Sequence, residues 1–335
     1  MTLKLNSAGI LGMGYYVPEK ILTNTDIEKL GVDTNDEWIV ERTGIKQRRI
    51  AGKNEPTSEL AFKAAQKALE NAKVSAEELD MIIVATISAD CNTPSTACIL
   101  QEKLGAKNAA AFDLSAACSG FVYASAIATQ FIETGVYKKV LVIGAETLSK
   151  FVNWQDRNTC IIFADGAGAA VYGVVEDGYG MLSFDLGADG GGAEVIEIPG
   201  GGSKHPADQE SIDNHMHCLH MNGKETFRFA IKAMGSTVLK SLNRAGLKKE
   251  DIDLLVPHQA NIRIIQSAAK RLNLSMDKVF VNIEKYGNAS AASIPIAMAE
   301  AMQEGRMKKG DIVALSGFGA GLTWASCIMK WAKED

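Results

Sequence analysis

The chain has 335 residues, 47% of them hydrophobic, and a formal net charge of −5, so it can bury a large core and is poorly suited to be a dedicated nucleic-acid binder. No run approaches the ~18 apolar residues of a membrane helix, and the N-terminus lacks the apolar stretch and cleavage site of a secretory signal. Six cysteines scattered through a chain of this size read as reduced thiols of a cytoplasmic protein, not as a disulfide framework.

Along the chain, GILGMG (Gly9–Gly14) has a superficial likeness to a dinucleotide loop. It lacks the third glycine and is followed by Pro18, so that reading is rejected. Trp38, Arg42, Lys46, Arg48 and Arg49 form a local basic patch with one aromatic. A helical pattern over Ser58–Ala72 precedes the apolar run Ile82–Ile87, and Val140–Ile143 is a second such run. Both lack strict alternation, which fits strands buried on two faces between helices. Between them, Cys118 in SAACSGF opens an uncharged stretch, Ser119–Gln130, that reads as a buried helix.

A join near Gly178–Gly180 divides the chain into halves 1–178 and 179–335. Gly187–Ser203 reads as an inserted loop, and PGGGSK within it lacks P-loop spacing. His215, His217, Cys218 and His220 could ligate a metal, but in such a loop an incidental, solvated cluster is the favoured reading and no metal is expected. A helix over Met234–Ala245 then leads to the strand Leu254–Val256 and to His258, which alone among the five histidines ends a core strand. From Asn261 a further helix carries Arg263 and Lys270 on one face, with Ile264, Ile265 and Leu272 on another. Asn288 opens a second uncharged helix, Ala289–Ala299, in which Ser293 is a candidate N-cap and Pro295 is tolerable only in a first turn. After the strand Ile312–Leu315, GFGAGLTWAS (Gly317–Ser326) offers exposed backbone amides near the core.

Two of these stretches repeat. Lys67–Thr86 and Lys240–Gln259 align at an offset of 173, pairing Leu69 with Leu242, Ala72 with Ala245, Glu77 with Glu250 and Asp80 with Asp253. Cys118 precedes Lys138 by 20 residues and Asn288 precedes Lys308 by 20. The expectation is two mixed α/β halves packed together, with Cys118 and Asn288 at equivalent points and two central helices aimed at one site. A cysteine at a helix N-terminus can be held as a thiolate by backbone N–H groups and the helix dipole. Its own amide can help form an oxyanion hole. Basic spots beside such a site suggest a partner bearing phosphates or carboxylates.

SAACSGF, VPHQANIRI, YGNASAAS and GFGAGLTW, in this order over the whole chain, closely resemble the β-ketoacyl-[acyl-carrier-protein] synthase III enzymes of the thiolase-like superfamily. The resemblance implies an αβαβα five-layer sandwich built by duplication, and a cytoplasmic homodimer. It implies condensation of an acyl-CoA primer with malonyl-acyl carrier protein, initiating fatty-acid synthesis without metal or redox cofactor. It further implies Cys118 as acylated nucleophile, His258 and Asn288 as donors in the decarboxylative step, and an oxyanion hole of the Cys118 and Ala320 amides. Ala320 stands where many relatives have glycine, which keeps the amide donor provided φ is allowed. By the same resemblance Trp38, Arg42 and Arg157 hold CoA, and Gln259, Ala260, Asn261, Ile262 and Arg263 contact the carrier protein. Thr93, on a loop expected to cross the dimer interface, stands where some relatives have phenylalanine; with Phe163 and Met221 it is assigned to the acyl pocket and implies room for primers of four carbons or more.

A papain-like protease also orders Cys, His and Asn along the chain. It would explain neither the duplication nor the buried helices, and its cysteine signature is missing. A catalytically silent relative would have lost one of the three residues, and all are present. A condensing enzyme of the same fold making a quinolone or polyketide starter is the remaining alternative.

Overall fold

The computed structural model describes residues 5–334. Two sheets form its frame. The first contains β1 (Ser7–Tyr16), β2 (Met81–Ala85), β3 (Ala110–Leu114), β4 (Lys139–Thr147) and β5 (Asp165–Val175), in the order β1-β5-β4-β2-β3. The second contains β6 (Gly180–Ala188), β7 (Leu254–Pro257), β8 (Ile312–Gly319) and β9 (Thr323–Lys330), in the order β6-β9-β8-β7. The β2–β4 and β7–β8 pairs are parallel, whereas β5 and β9 run antiparallel to both their neighbours. Matching strands begin 173 residues apart: Ser7 and Gly180, Met81 and Leu254, Lys139 and Ile312. The offset seen in one sequence repeat therefore runs through both frames.

Helices α1 (Thr57–Ala72) and α2 (Thr96–Leu104) cover the outer face of the first sheet. Helices α4 (Gly223–Ala245) and α5 (Ile262–Leu272) cover the second, and α3 (Gly120–Glu133) and α6 (Ser293–Gln303) lie between the two. The result is a thiolase-like αβαβα sandwich. Strands β2 and β7 are buried along their whole length, as their unbroken apolar runs require. Burying Ile294, Ile296 and Met298 of α6 contributes ~1.5–3 kcal/mol per side chain. The glycines of GILGMG have a packing role: a Cβ on Gly12 would lie 2.3 Å from the Ala72 nitrogen, and one on Gly14 2.5 Å from that of Ala68. Strand β1 and helix α1 meet backbone to backbone.

Several sequence expectations are corrected. Each central helix is preceded by a 3-10 turn, Ala117–Ser119 before α3 and Ser290–Ala292 before α6. Ala117 and Ser290 open these turns, both with φ of 47° and again 173 residues apart. The counterpart of Cys118 is thus Ala291; Asn288 lies three residues upstream, equivalent to Ser115. Ser293 is the first helical residue of α6, and Ala292 holds the cap position. Gly187–Ser203 is partly ordered, with the end of β6, a 3-10 segment Gly190–Val195, and Ile196–Glu197 paired to His220–Met221. Arg48 is no part of a surface patch. It is fully buried, its guanidinium donating to the Asn24 side chain and to the Leu22 and Ile161 carbonyls.

Candidate active site

Cys118 sits in the turn ahead of α3, against the end of β8. A Cβ on Gly319 would fall 2.7 Å from the Cys118 nitrogen, so glycine there is what permits this approach; one on Gly317 would crowd the Cys118 carbonyl oxygen at 3.2 Å. Ala320 follows on the wall of the same cavity. Its φ lies outside the left-handed region, so alanine fits.

His258 continues from β7 and is anchored by its N–H to the Ser316 carbonyl at 2.7 Å. Its ring meets Phe318 edge to face at 5.5 Å. Nδ1 lies 2.5 Å from the Ser293 hydroxyl, while Nε2 is buried without a partner. Burial pushes its pKa down to about 3, so the imidazole is neutral. Asn288 is clamped between the Ile162 carbonyl (3.0 Å) and the Ala164 N–H (2.9 Å). Its Oδ1 accepts the Ser290 N–H at 2.8 Å, which leaves the side-chain NH2 as the group offered to the cavity.

Beneath these residues lies Glu146, at the end of β4 and with no exposed surface. It accepts from the Thr86 hydroxyl (3.2 Å), the Ile87 N–H (3.2 Å) and the Ser88 hydroxyl. Burial nonetheless pushes its pKa up to about 7. Burial also pushes the Cys118 thiol up to about 12, Ser290 opposing and the Glu146 charge reinforcing. The Ser290 hydroxyl lies between the two groups, too loosely aligned for a well-formed hydrogen bond yet placed to favour both ionised forms. Desolvation therefore works against the thiolate form, which a helix N-terminus favours by ~0.3–1 kcal/mol.

Cys118, His258, Asn288 and Ala320 line one cavity of ≈110 Å³, walled by Ile87, Leu148, Phe163, Leu219, Met221 and Phe318. Ile162, Met221, Phe227 and Asn261 also line an outer groove, so the cavity opens into it. Trp38 lies in that groove with the guanidiniums of Arg42 (5.5 Å) and Arg157 (4.9 Å) against its ring, and Lys224 and Arg263 line the same groove. Arg157 also pairs with Asp33.

The proposed carrier-contact segment divides. Gln259 is 1% exposed, its side chain bonded to the Pro257 and Phe280 carbonyls and the Asn282 N–H, so it presents no docking surface. Ala260 and Asn261 line the cavity, and Asn261 donates to the Arg42 carbonyl while capping α5. Ile262 is half-buried, and Arg263 is exposed with a 3.1 Å ion pair to Glu41. Thr93 is exposed and is absent from the lining of its own chain's cavity. Sequence reading missed Glu146, Ser290, Ser293 and Lys224. Only Glu146 left a signal, as a lone carboxylate in the apolar run KVLVIGAET.

The family model described as 3-Oxoacyl-[acyl-carrier-protein (ACP)] synthase III matches residues 112–190, and that of the C-terminal part matches residues 242–331. The β-ketoacyl-[acyl-carrier-protein] synthase III of Caldanaerobacter subterraneus subsp. tengcongensis is 60% identical over 98% of each chain. This chain belongs to the 3-oxoacyl-[acyl-carrier-protein] synthase III family. The crystal structure of the synthase III from Aquifex aeolicus VF5 is similar with a TM-score of 0.89 and 48% identity, covering 97% of this chain and 100% of that one. The priming β-ketosynthase of the R1128 polyketide pathway is similar at 0.90 with 33% identity, over 99% and 98%. Among the described residues, no helix is long and apolar enough to cross a membrane.

Proposed function

We propose that the chain condenses a short acyl-CoA primer with malonyl-acyl carrier protein, releasing carbon dioxide and giving 3-oxoacyl-acyl carrier protein. The observation that carries this reading is the convergence of a cysteine, a neutral histidine with a free buried Nε2 and an asparagine amide in one apolar cavity that opens into a basic groove. In the first half-reaction the Cys118 sulfur bonds to the acyl carbon, the bond to the CoA sulfur breaks, and the thiol proton leaves on CoA. The oxyanion between these steps rests on the Cys118 and Ala320 amides. Trp38, Arg42 and Arg157 hold the CoA head, with Lys224 as an added cation at the same groove.

In the second half-reaction the malonyl carboxylate leaves as carbon dioxide. Its bonding electrons form an enolate whose oxygen is held by two neutral donors, His258 Nε2–H and the Asn288 NH2. The enolate carbon then attacks the acyl group and displaces the Cys118 thiolate, which is reprotonated. Ser293 supports the required tautomer. Its oxygen accepts the Gln259 N–H at 3.3 Å, and donating its O–H hydrogen bond to Nδ1 leaves the ring hydrogen on Nε2. The chemistry uses no metal or redox cofactor. The reading includes a homodimer in which the loop carrying Thr93 closes the partner's acyl pocket, and the exposure of Cys91–Pro94 fits that role.

Intact-mass measurement after exposure to a panel of acyl-CoAs tests the proposal. A single acyl adduct mapping to Cys118 and discharged by malonyl-acyl carrier protein is expected. No adduct, or one elsewhere in a competent enzyme, refutes it.

A further inference from the structure

The segment His215–Met221 is ordered by backbone contacts on several sides. Met216 N–H donates to the Ser211 carbonyl (2.9 Å), Gly200 N–H to that of Met216 (2.7 Å) and Leu219 N–H to that of Phe151 (2.7 Å). His215 adopts a left-handed conformation, φ 53°, and the turn closes with Cys218 N–H donating to its carbonyl at 2.9 Å. His220 reaches back to the same carbonyl through Nε2 at 3.1 Å. A sharp, held turn of this kind makes neighbours in sequence converge. The ligand atoms of His215, His217 and Cys218 all lie within 4.8 Å of one another, the imidazoles exposed and the thiol buried. The sequence favoured an incidental, solvated cluster at this place; the structure supplies a fixed thiol beneath two adjustable rings.

We propose that His215, His217 and Cys218 form a binding site for a zinc-class divalent cation, separate from the reaction centre. Two imidazoles and one thiolate are the donor set that zinc and cobalt prefer over calcium or magnesium. Bonds of ~2.0–2.3 Å set tetrahedral donors ~3.3–3.8 Å apart, a spacing reached from the present one by small rotations of the exposed rings. On binding, the Cys218 thiol releases its proton to solvent, and the fourth position is left to water. Leu219 and Met221, immediately downstream, line the acyl cavity, so an occupied site anchors the wall against which the primer packs.

The test uses full-length protein carrying Cys118→Ala, which removes the catalytic thiol as a competing ligand. Dialysed against cobalt(II), this protein should retain a single equivalent and show a thiolate-to-cobalt charge-transfer band. Adding Cys218→Ser should abolish the band. Adding His215→Ala with His217→Ala, both at exposed positions that leave the core intact, should weaken binding by at least ~10-fold. Failure of the Cys118→Ala protein to retain cobalt overturns the proposal. So does a band that survives Cys218→Ser, or affinity unchanged in the double histidine variant.

Discussion

Glu146→Gln isolates the energetic consequence of burying a carboxyl beside the Cys118 thiol. A glutamate moved from 4.5 to about 7 keeps its proton in the folded state over a range where the unfolded chain has already lost it. The contribution of Glu146 to folding stability therefore falls as pH rises from ~4.5 to ~7, by about 3 kcal/mol at ~1.4 kcal/mol per pH unit. His258 acts in the opposite sense. Held at about 3 instead of 6.5, it stays neutral when folded while the unfolded chain takes up a proton, so its stabilisation is complete above 6.5 and is lost as pH falls toward 3. In the wild type the two slopes oppose each other between ~4.5 and ~6.5. Glutamine keeps the oxygen that accepts from Ser88 and Ile87 but removes the titration, exposing the histidine slope alone. Urea unfolding across pH 4.5–8 measures both proteins. The wild-type advantage over Glu146→Gln should shrink by about 3 kcal/mol between ~4.5 and ~7 and then stay level. A difference that does not vary with pH would show that Glu146 titrates as an ordinary surface carboxylate and refute the reasoning.

Four further outcomes are expected. Cys118→Ser should abolish acyl transfer, read as loss of the acyl adduct by mass, because no base is placed to ionise a hydroxyl there. His258→Ala and Asn288→Ala should still acylate Cys118 but lose ~10²–10³ in the rate of malonyl decarboxylation, the usual effect of deleting one oxyanion donor; retained carbon dioxide release in both would remove their assigned roles. Arg263→Glu should raise the KM for malonyl-acyl carrier protein and leave acetyl-CoA kinetics nearly unchanged, since reversal at an exposed site turns attraction for an acidic partner into repulsion. Thr93→Phe should cut turnover of primers of four carbons or more while sparing acetyl-CoA, each methylene excluded costing ~0.8 kcal/mol; an unchanged chain-length profile would dissociate Thr93 from the pocket.

Much of the frame was legible because its signals are local. The unbroken apolar runs at Ile82 and Leu254, the charge-free helices and the 173-residue repeat each report burial or duplication over a few consecutive residues. The convergence of the candidate site was legible where residue type and position coincide, since Cys118, His258 and Asn288 do line one cavity. Contacts between distant segments were not. Ser293 has the composition of a helix cap, and nothing within its own stretch shows that its hydroxyl meets His258, 35 residues earlier. Gln259 and Arg48 are polar residues that sequence assigns to the surface, yet each is buried by satisfying backbone carbonyls from other segments. The assignment of Asn288 as the structural equivalent of Cys118 failed for a related reason: the paired lysines used to align them are surface residues that do not constrain the turns before α3 and α6.

Those turns explain how a duplicated fold yields an asymmetric site. Both copies retain a left-handed residue at the start of the turn, Ala117 and Ser290, a conformation that costs ~1–3 kcal/mol for a non-glycine residue and persists only where the surroundings enforce it. In the first copy the residue after it is Cys118, delivered against the backbone at Gly319. In the second copy that position is Ala291, and the strained residue itself takes on the work. The Ser290 N–H fixes Asn288 so that its NH2 faces the cavity, and its hydroxyl lies over Cys118 and Glu146. One strained turn, used twice, brings a thiol to the cavity from one half and a hydrogen-bond donor from the other, without either half having to change its frame.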